Sequence, residues 1–142
     1  LPAGTPLVVT GISRGANMAV IAAGAPDVQR TIAGGVALAL TREADYLDMP
    51  VGMEKMTGIQ IDEKGRVQMY PAIQRIGPIP FAVIQSTHDS YVPSAESRQL
   101  LGPDTATRRL YEVQSNGHNF GGGEDVMFRD LDDALMWITS KR

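Results

Sequence analysis

The stretch Leu7-Val8-Val9-Thr10-Gly11-Ile12-Ser13-Arg14-Gly15-Ala16-Asn17-Met18-Ala19 constrains this chain more than any other part of it. It reads as a short apolar strand, a sharp turn carrying a serine between two glycines, and a helix of small residues. That is the pattern G-x-S-x-G in a strand–turn–helix setting. So tight a turn forces the serine backbone into a sparsely populated conformation. Bulk two residues to either side is expected to collide, which accounts for Gly11 and Gly15. The turn holds the Ser13 hydroxyl out at the carboxyl end of a sheet. Beside it lie the first N–H groups of the helix, at the positive end of its dipole, where a developing oxyanion can be bound. One motif match is a hypothesis, and an acid and a base in matching places would strengthen it.

The rest of the chain supplies a frame for that turn. Leu7–Ile12 has the continuous apolar character of a strand buried on both faces of a parallel sheet. The helix from Arg14 to about Ala25 has few polar positions, as a buried helix does. Residues 32–40 and 79–86 read as two more buried strands, and Arg108–Gln114 alternates like a strand nearer the edge. Between them, residues 41–76 form an excursion with one hairpin signal: Ile59–Asp62, a turn at Glu63-Lys64-Gly65, and Arg66–Tyr70. Such an excursion is either a binding loop or a plain surface hairpin. Ser94 is expected to cap a short helix ending at Leu101. A last helix, about Glu124 to Thr139, places Phe128, Leu131, Leu135 and Ile138 on one stripe. The whole reads as an α/β fold, a mostly parallel sheet with flanking helices in one domain spanning residues 1–142.

Composition narrows the classes. The 142 residues carry a net charge of −3 with their 13 Lys and Arg scattered, which argues against a nucleic-acid surface. No run approaches a membrane span. The absence of cysteine removes any thiol nucleophile or thiolate metal site and leaves the compartment open. Two histidines with no Cys and no metal-ligand spacing argue against a metal site, and no cofactor is expected. Gly121-Gly122-Gly123 lacks the ending of a phosphate loop and reads as a flexible lead into the last helix. No targeting information is read from the first residues.

Acyl transfer by a serine needs a base in reach and a carboxylate to orient that base. In a doubly wound sheet such groups come from loops at the carboxyl ends of strands. Ser13 follows the first strand, Asp89 the third and His118 the fourth, in the order Ser…Asp…His. Alternatives stay open at this point. Asp45 and Asp48 are fallback acids. His88 is the other histidine, and it should point elsewhere if Asp89 faces Ser13. Arg14 could contact an anionic substrate, although a solvated side chain is the simpler reading.

The runs Gly11-Ile12-Ser13-Arg14-Gly15, His88-Asp89-Ser90-Tyr91-Val92-Pro93 and Asn116-Gly117-His118-Asn119-Phe120 together resemble the carboxyl-terminal half of an α/β-hydrolase. The Tyr70-Pro71 segment and the short chain after the Gly11–Gly15 turn, the nucleophile elbow of that family, resemble the VirJ-type or dienelactone-hydrolase-like bacterial members. The resemblance implies Ser13 as nucleophile, His118 as general base and acid, Asp89 as orienting carboxylate, and the Arg14 backbone N–H as one oxyanion donor. It also implies a small-molecule or lipid ester as substrate. A complete α/β-hydrolase has further strands on the amino-terminal side of the elbow and a second oxyanion donor from a loop there. Leu7–Ile12 is thus expected at an unpaired edge. A second chain, a missing segment or an edge-paired dimer would complete it, and this polypeptide alone is not expected to be competent. The expected activity is a serine hydrolase working through an acyl-enzyme. The competing expectations are an acyltransferase with the same triad, or a binding or assembly protein in which the three side chains do not converge.

Overall fold

The computed structural model of the protein describes residues 1–45 and 58–141. In chain order its elements are β1 (Val8–Ile12), α1 (Arg14–Gly24), α2 (Pro26–Gln29), β2 (Gly34–Leu38), β3 (Glu43–Asp45), β4 (Arg66–Gln68), α3 (Met69–Arg75), β5 (Phe81–Ser86), α4 (Ser94–Leu101), β6 (Arg108–Val113) and α5 (Glu124–Thr139). The main sheet has the order β1-β2-β5-β6 and is parallel throughout. The α/β architecture with flanking helices is the one expected.

Two apolar layers hold the sheet. On one side Ala37, Phe81 and Val83 pack with Ala16, Val20 and Ile21 of α1, Ile73 of α3 and Leu101 of α4. On the other, Val36, Leu38, Ala82, Ile84 and Val113 meet Met127, Ala134, Trp137 and Ile138 of α5. The alternation along β2 and β5 sends successive side chains to opposite layers, so both strands are buried on both faces. β1 differs. It pairs only with β2 among the described residues, and Thr10 and Ile12 are exposed. Its apolar sequence suits a buried strand, but its position is the sheet edge.

The excursion folds otherwise than its hairpin signal predicts. The turn is present: Asp62 takes backbone N–H groups of Lys64 and Arg66 on its carboxylate, and Gly65 sits at φ 74°. Residues 59–61, however, form no strand. β4 instead pairs antiparallel with β3, Glu43 opposite Gln68 and Asp45 opposite Arg66. Arg66 forms ion pairs with both Glu43 and Asp45, and opposite charges across a ladder favour that partner. Met69 and Tyr70 belong to helix α3, not to a strand arm.

Two smaller expectations also shift. Pro93, not Ser94, occupies the N-cap of α4, and the Ser94 hydroxyl donates to Glu112 at 3.1 Å. In α5 the buried stripe is Met127, Ala134, Trp137 and Ile138, with Leu131 and Leu135 partly buried, while Phe128 faces outward at 59% exposure.

Candidate active site

The turn after β1 has the predicted strain. Ser13 sits at φ 55° and ψ −118°, a region costly for any residue with a Cβ. Its N–H still donates to Leu38 O at 2.8 Å, and its carbonyl accepts the N–H groups of Ala16 and Asn17, which start α1. The strand's last rung and the helix's first turn thus overdetermine the conformation. At Gly11 an added Cβ would lie 2.1 Å from the Gly15 carbonyl oxygen, so no larger residue fits. The expectation fails for Gly15. A Cβ there meets nothing within 4 Å among the described residues and would stand in open space.

Two other loops reach the same end of the sheet. After β5, Asp89 is buried at 3% exposure. One carboxylate oxygen accepts the N–H groups of Tyr91 at 2.8 Å and Val92 at 3.1 Å. The other accepts from His118 Nδ1 at 2.7 Å. After β6, residues 116–123 close into a compact loop through Asn116 N–H to Gly121 O, Phe120 N–H to Gly117 O and Gly123 N–H to Phe120 O. Phe120 holds φ 61° and is fully buried, which anchors the loop beside His118.

His118 Nε2 lies 2.7 Å from Ser13 Oγ. A carboxylate oxygen accepts, so Nδ1 carries a proton toward Asp89, and in the neutral ring Nε2 then accepts from the Ser13 hydroxyl. The three side chains therefore form one hydrogen-bonded chain running Ser13–His118–Asp89. Ser13 and His118 are half-buried at its open end, and Asp89 closes the inner end. Tyr91 meets the His118 ring edge-on, centroids 4.7 Å apart.

The remaining candidates fall elsewhere. Asp45 is exposed in β3 and pairs with Arg66, and Asp48 lies outside the described residues. His88 turns its Nδ1 to Ser115 O at 2.9 Å and takes no part in the Ser13 chain. Arg14 opens α1 immediately after Ser13 with an exposed side chain. Among the described residues no group of His, Asp or Glu has the arrangement of a metal site, and no helix is long and apolar enough to cross a membrane.

Two polar supports lie outside the sequence candidates. Gln85, fully buried in β5, accepts Leu40 N–H at 3.1 Å and donates to Leu40 O at 3.2 Å and Val92 O at 2.6 Å. It clamps the loop after β2 to the acid loop. Asn17, in the first turn of α1, donates to Thr41 Oγ1 at 2.9 Å. A glutamine inside the apolar run Phe81-Ala82-Val83-Ile84-Gln85 was the available signal, since a buried amide requires partners.

Comparison with solved structures places this arrangement. An α/β hydrolase from Penicillium sp. sh18 superposes with a TM-score of 0.57 at 15% identity, over 93% of this chain and 64% of that one. The fold is the α/β-hydrolase fold. A monoacylglycerol lipase from Paleococcus ferrophilus is similar over 94% of this chain and 70% of its own, with a TM-score of 0.57 and 15% identity. An esterase from Pyrococcus furiosus matches at a TM-score of 0.60 and 15% identity, over 94% of this chain but only 52% of its own. The chain thus corresponds to a portion of the α/β-hydrolase fold. No family model and no curated protein matches the sequence.

Proposed function

We propose that this chain carries the reacting groups of a serine hydrolase that cleaves an ester or related acyl bond. The observation that supports this reading is the unbroken hydrogen-bonded chain Ser13–His118–Asp89, with 2.7 Å at each link. In the reaction Ser13 Oγ attacks the substrate carbonyl carbon as its proton passes to His118 Nε2. The carbonyl oxygen becomes an oxyanion beside the Arg14 backbone N–H, at the amino-terminal end of α1. Collapse expels the alkoxide, which takes the proton from Nε2 and leaves an acyl-Ser13. Water then attacks the acyl carbon, giving its proton to Nε2, and the acid departs as Ser13 regains its proton. Throughout, Asp89 holds the ring orientation and stabilises the imidazolium.

The chain spans 52% to 70% of the three solved neighbours described above. We therefore assign the second oxyanion donor and part of the substrate pocket to a further segment or partner chain completing the sheet beside β1. The names of the solved lipase and esterase agree with a small-molecule or lipid ester as substrate. The test is labelling of the complete protein with a fluorophosphonate probe, alongside Ser13→Ala. Labelling that requires Ser13, together with turnover of a chromogenic ester, is expected. Labelling unchanged in Ser13→Ala would exclude the mechanism.

A further inference from the structure

We propose that His88 is a positioning residue, whose imidazole ties the loop carrying Asp89 to the loop carrying His118 and so sets the bond between them. The proposal rests on the triad reading given above. β5 and β6 run in register to the pair Ser86–Val113, and Thr87 N–H adds a last rung to Val113 O at 2.9 Å. Beyond that point the backbones part, and side chains take over the link. His88 Nδ1 lies 2.9 Å from Ser115 O and 3.0 Å from Thr87 Oγ1, and that hydroxyl oxygen also accepts the Ser115 N–H at 3.5 Å. A carbonyl only accepts, so Nδ1 carries the proton and donates. The His88 N–H donates to Ser86 Oγ at 3.1 Å, and the same oxygen accepts the Ser115 hydroxyl at 2.7 Å. Ser86 and Ser115 are buried, whereas His88 is exposed.

The brace touches both sides of the catalytic pair at short range. His88 immediately precedes Asp89, and Ser115 stands three residues before His118. The serine pair is the buried half of the brace and belongs to the packing. The imidazole is the exposed half, so its truncation removes little buried surface but frees the Ser115 carbonyl to move against Asp89. Proton transfer depends steeply on such placement, and a displacement near 1 Å costs on the order of 100-fold. Asparagine can place its Nδ2 close to where histidine places Nδ1, so it offers the same donor to Ser115 O.

The experiment compares His88→Ala and His88→Asn in the complete protein, with two readouts. The first is the deshielded NMR resonance of the His118 Nδ1 proton, which reports the bond to Asp89 without requiring turnover. The second is steady-state hydrolysis of a chromogenic ester. His88→Ala is expected to keep its melting temperature, to broaden or lose that resonance through exchange, and to lower kcat about tenfold with KM unchanged. His88→Asn is expected to restore both. An unchanged resonance and kcat in His88→Ala would overturn the proposal, as would His88→Asn behaving like His88→Ala. Ser13→Ala keeps the two readings apart. If it retains activity, the acyl-enzyme reading fails while the resonance still judges the brace; if it is inactive and His88→Ala is normal, the brace alone fails.

Discussion

His118 Nδ1 donates to Asp89 Oδ2 at 2.7 Å, and the other oxygen of that carboxylate accepts two backbone N–H groups from Tyr91 and Val92. The acid is thus held by its own turn before the histidine reaches it. Buried as it is, the carboxylate has partners on both oxygens, which is what makes its burial tolerable. Asp89→Asn keeps the shape but puts an amide opposite Nδ1, where its oxygen or its NH2 can face the ring. In the second orientation the imidazole is driven into the tautomer that cannot accept from Ser13. The expected loss is roughly ten-thousand-fold in kcat with KM little changed. Stopped-flow measurement of acylation would check it, and a loss below tenfold would remove Asp89 from the reacting chain.

The elbow makes a second prediction, in which two glycines part company. Gly11→Ala brings a Cβ to 2.1 Å from one backbone atom and 2.3 Å from another, with no flexible side chain to yield. Either β1 or α1 must shift, at an expected cost of about 3 kcal/mol or more. Gly15→Ala introduces no contact among the described residues and replaces a poor helix former near the start of α1. Its stability is expected to stay within about 1 kcal/mol of the parent. Urea denaturation of the two variants measures the difference, and equal destabilisation would contradict the elbow geometry.

The site was more legible than its frame, for physical reasons. Ser13 and Asp89 each follow an apolar run and His118 follows an alternating one, all three legible as strands, and parallel strands deliver their following loops to one end of the sheet. The pairing of β3 with β4 was not legible, because Val67 and Met69 alternate as well in a short strand as in a hairpin arm. The choice was made by Arg66 meeting Glu43 and Asp45 across the ladder, and by Tyr70 entering α3 to bond Ser97. On the α5 stripe Ile138 is buried and Leu131 and Leu135 are partly buried as expected, and Phe128 alone faces out, because the buried face runs through Met127 and Ala134. The bond from His88 to the Ser115 carbonyl is announced by no residue pattern, whereas Gln85 stood out as an amide within an apolar run.

Arg108 offers a third prediction, at the opposite end of the strands from Ser13. Its guanidinium is buried and faces carbonyls only. Nη1 donates to Ile79 O and Thr107 O, and Nη2 to the carbonyls of Ile73, Ile76 and Gly77. It therefore collects the end of α3 and the approach to β5 onto the first residue of β6. Arg108→Ala leaves several carbonyls without donors and opens space, with an expected loss of about 3 kcal/mol or more. Arg108→Lys keeps the charge but not the fork, and should recover only part of it. A urea midpoint in Arg108→Ala equal to the parent's would show that the carbonyls find other donors.

Tyr70 links stability to alkaline pH. Burial pushes its phenol up to about 12, against the opposing hydrogen bond from Ser97. In the unfolded chain a tyrosine ionises near pH 10. Between about pH 10 and 12 the native state therefore keeps a proton that the unfolded state has released. Because the native state then binds more protons, stability is whole below pH 10 and falls as pH rises through this window. The full loss is about 2–3 kcal/mol. Tyr70→Phe leaves the Ser97 hydroxyl without its partner and should be less stable at pH 8, yet its further loss on raising the pH should be much smaller than the parent's. Tyr111, also raised by burial, accounts for a residual slope. Urea midpoints at pH 8, 10 and 11.5 for both proteins measure it, and parallel declines would show that Tyr70 is not the buried group being titrated.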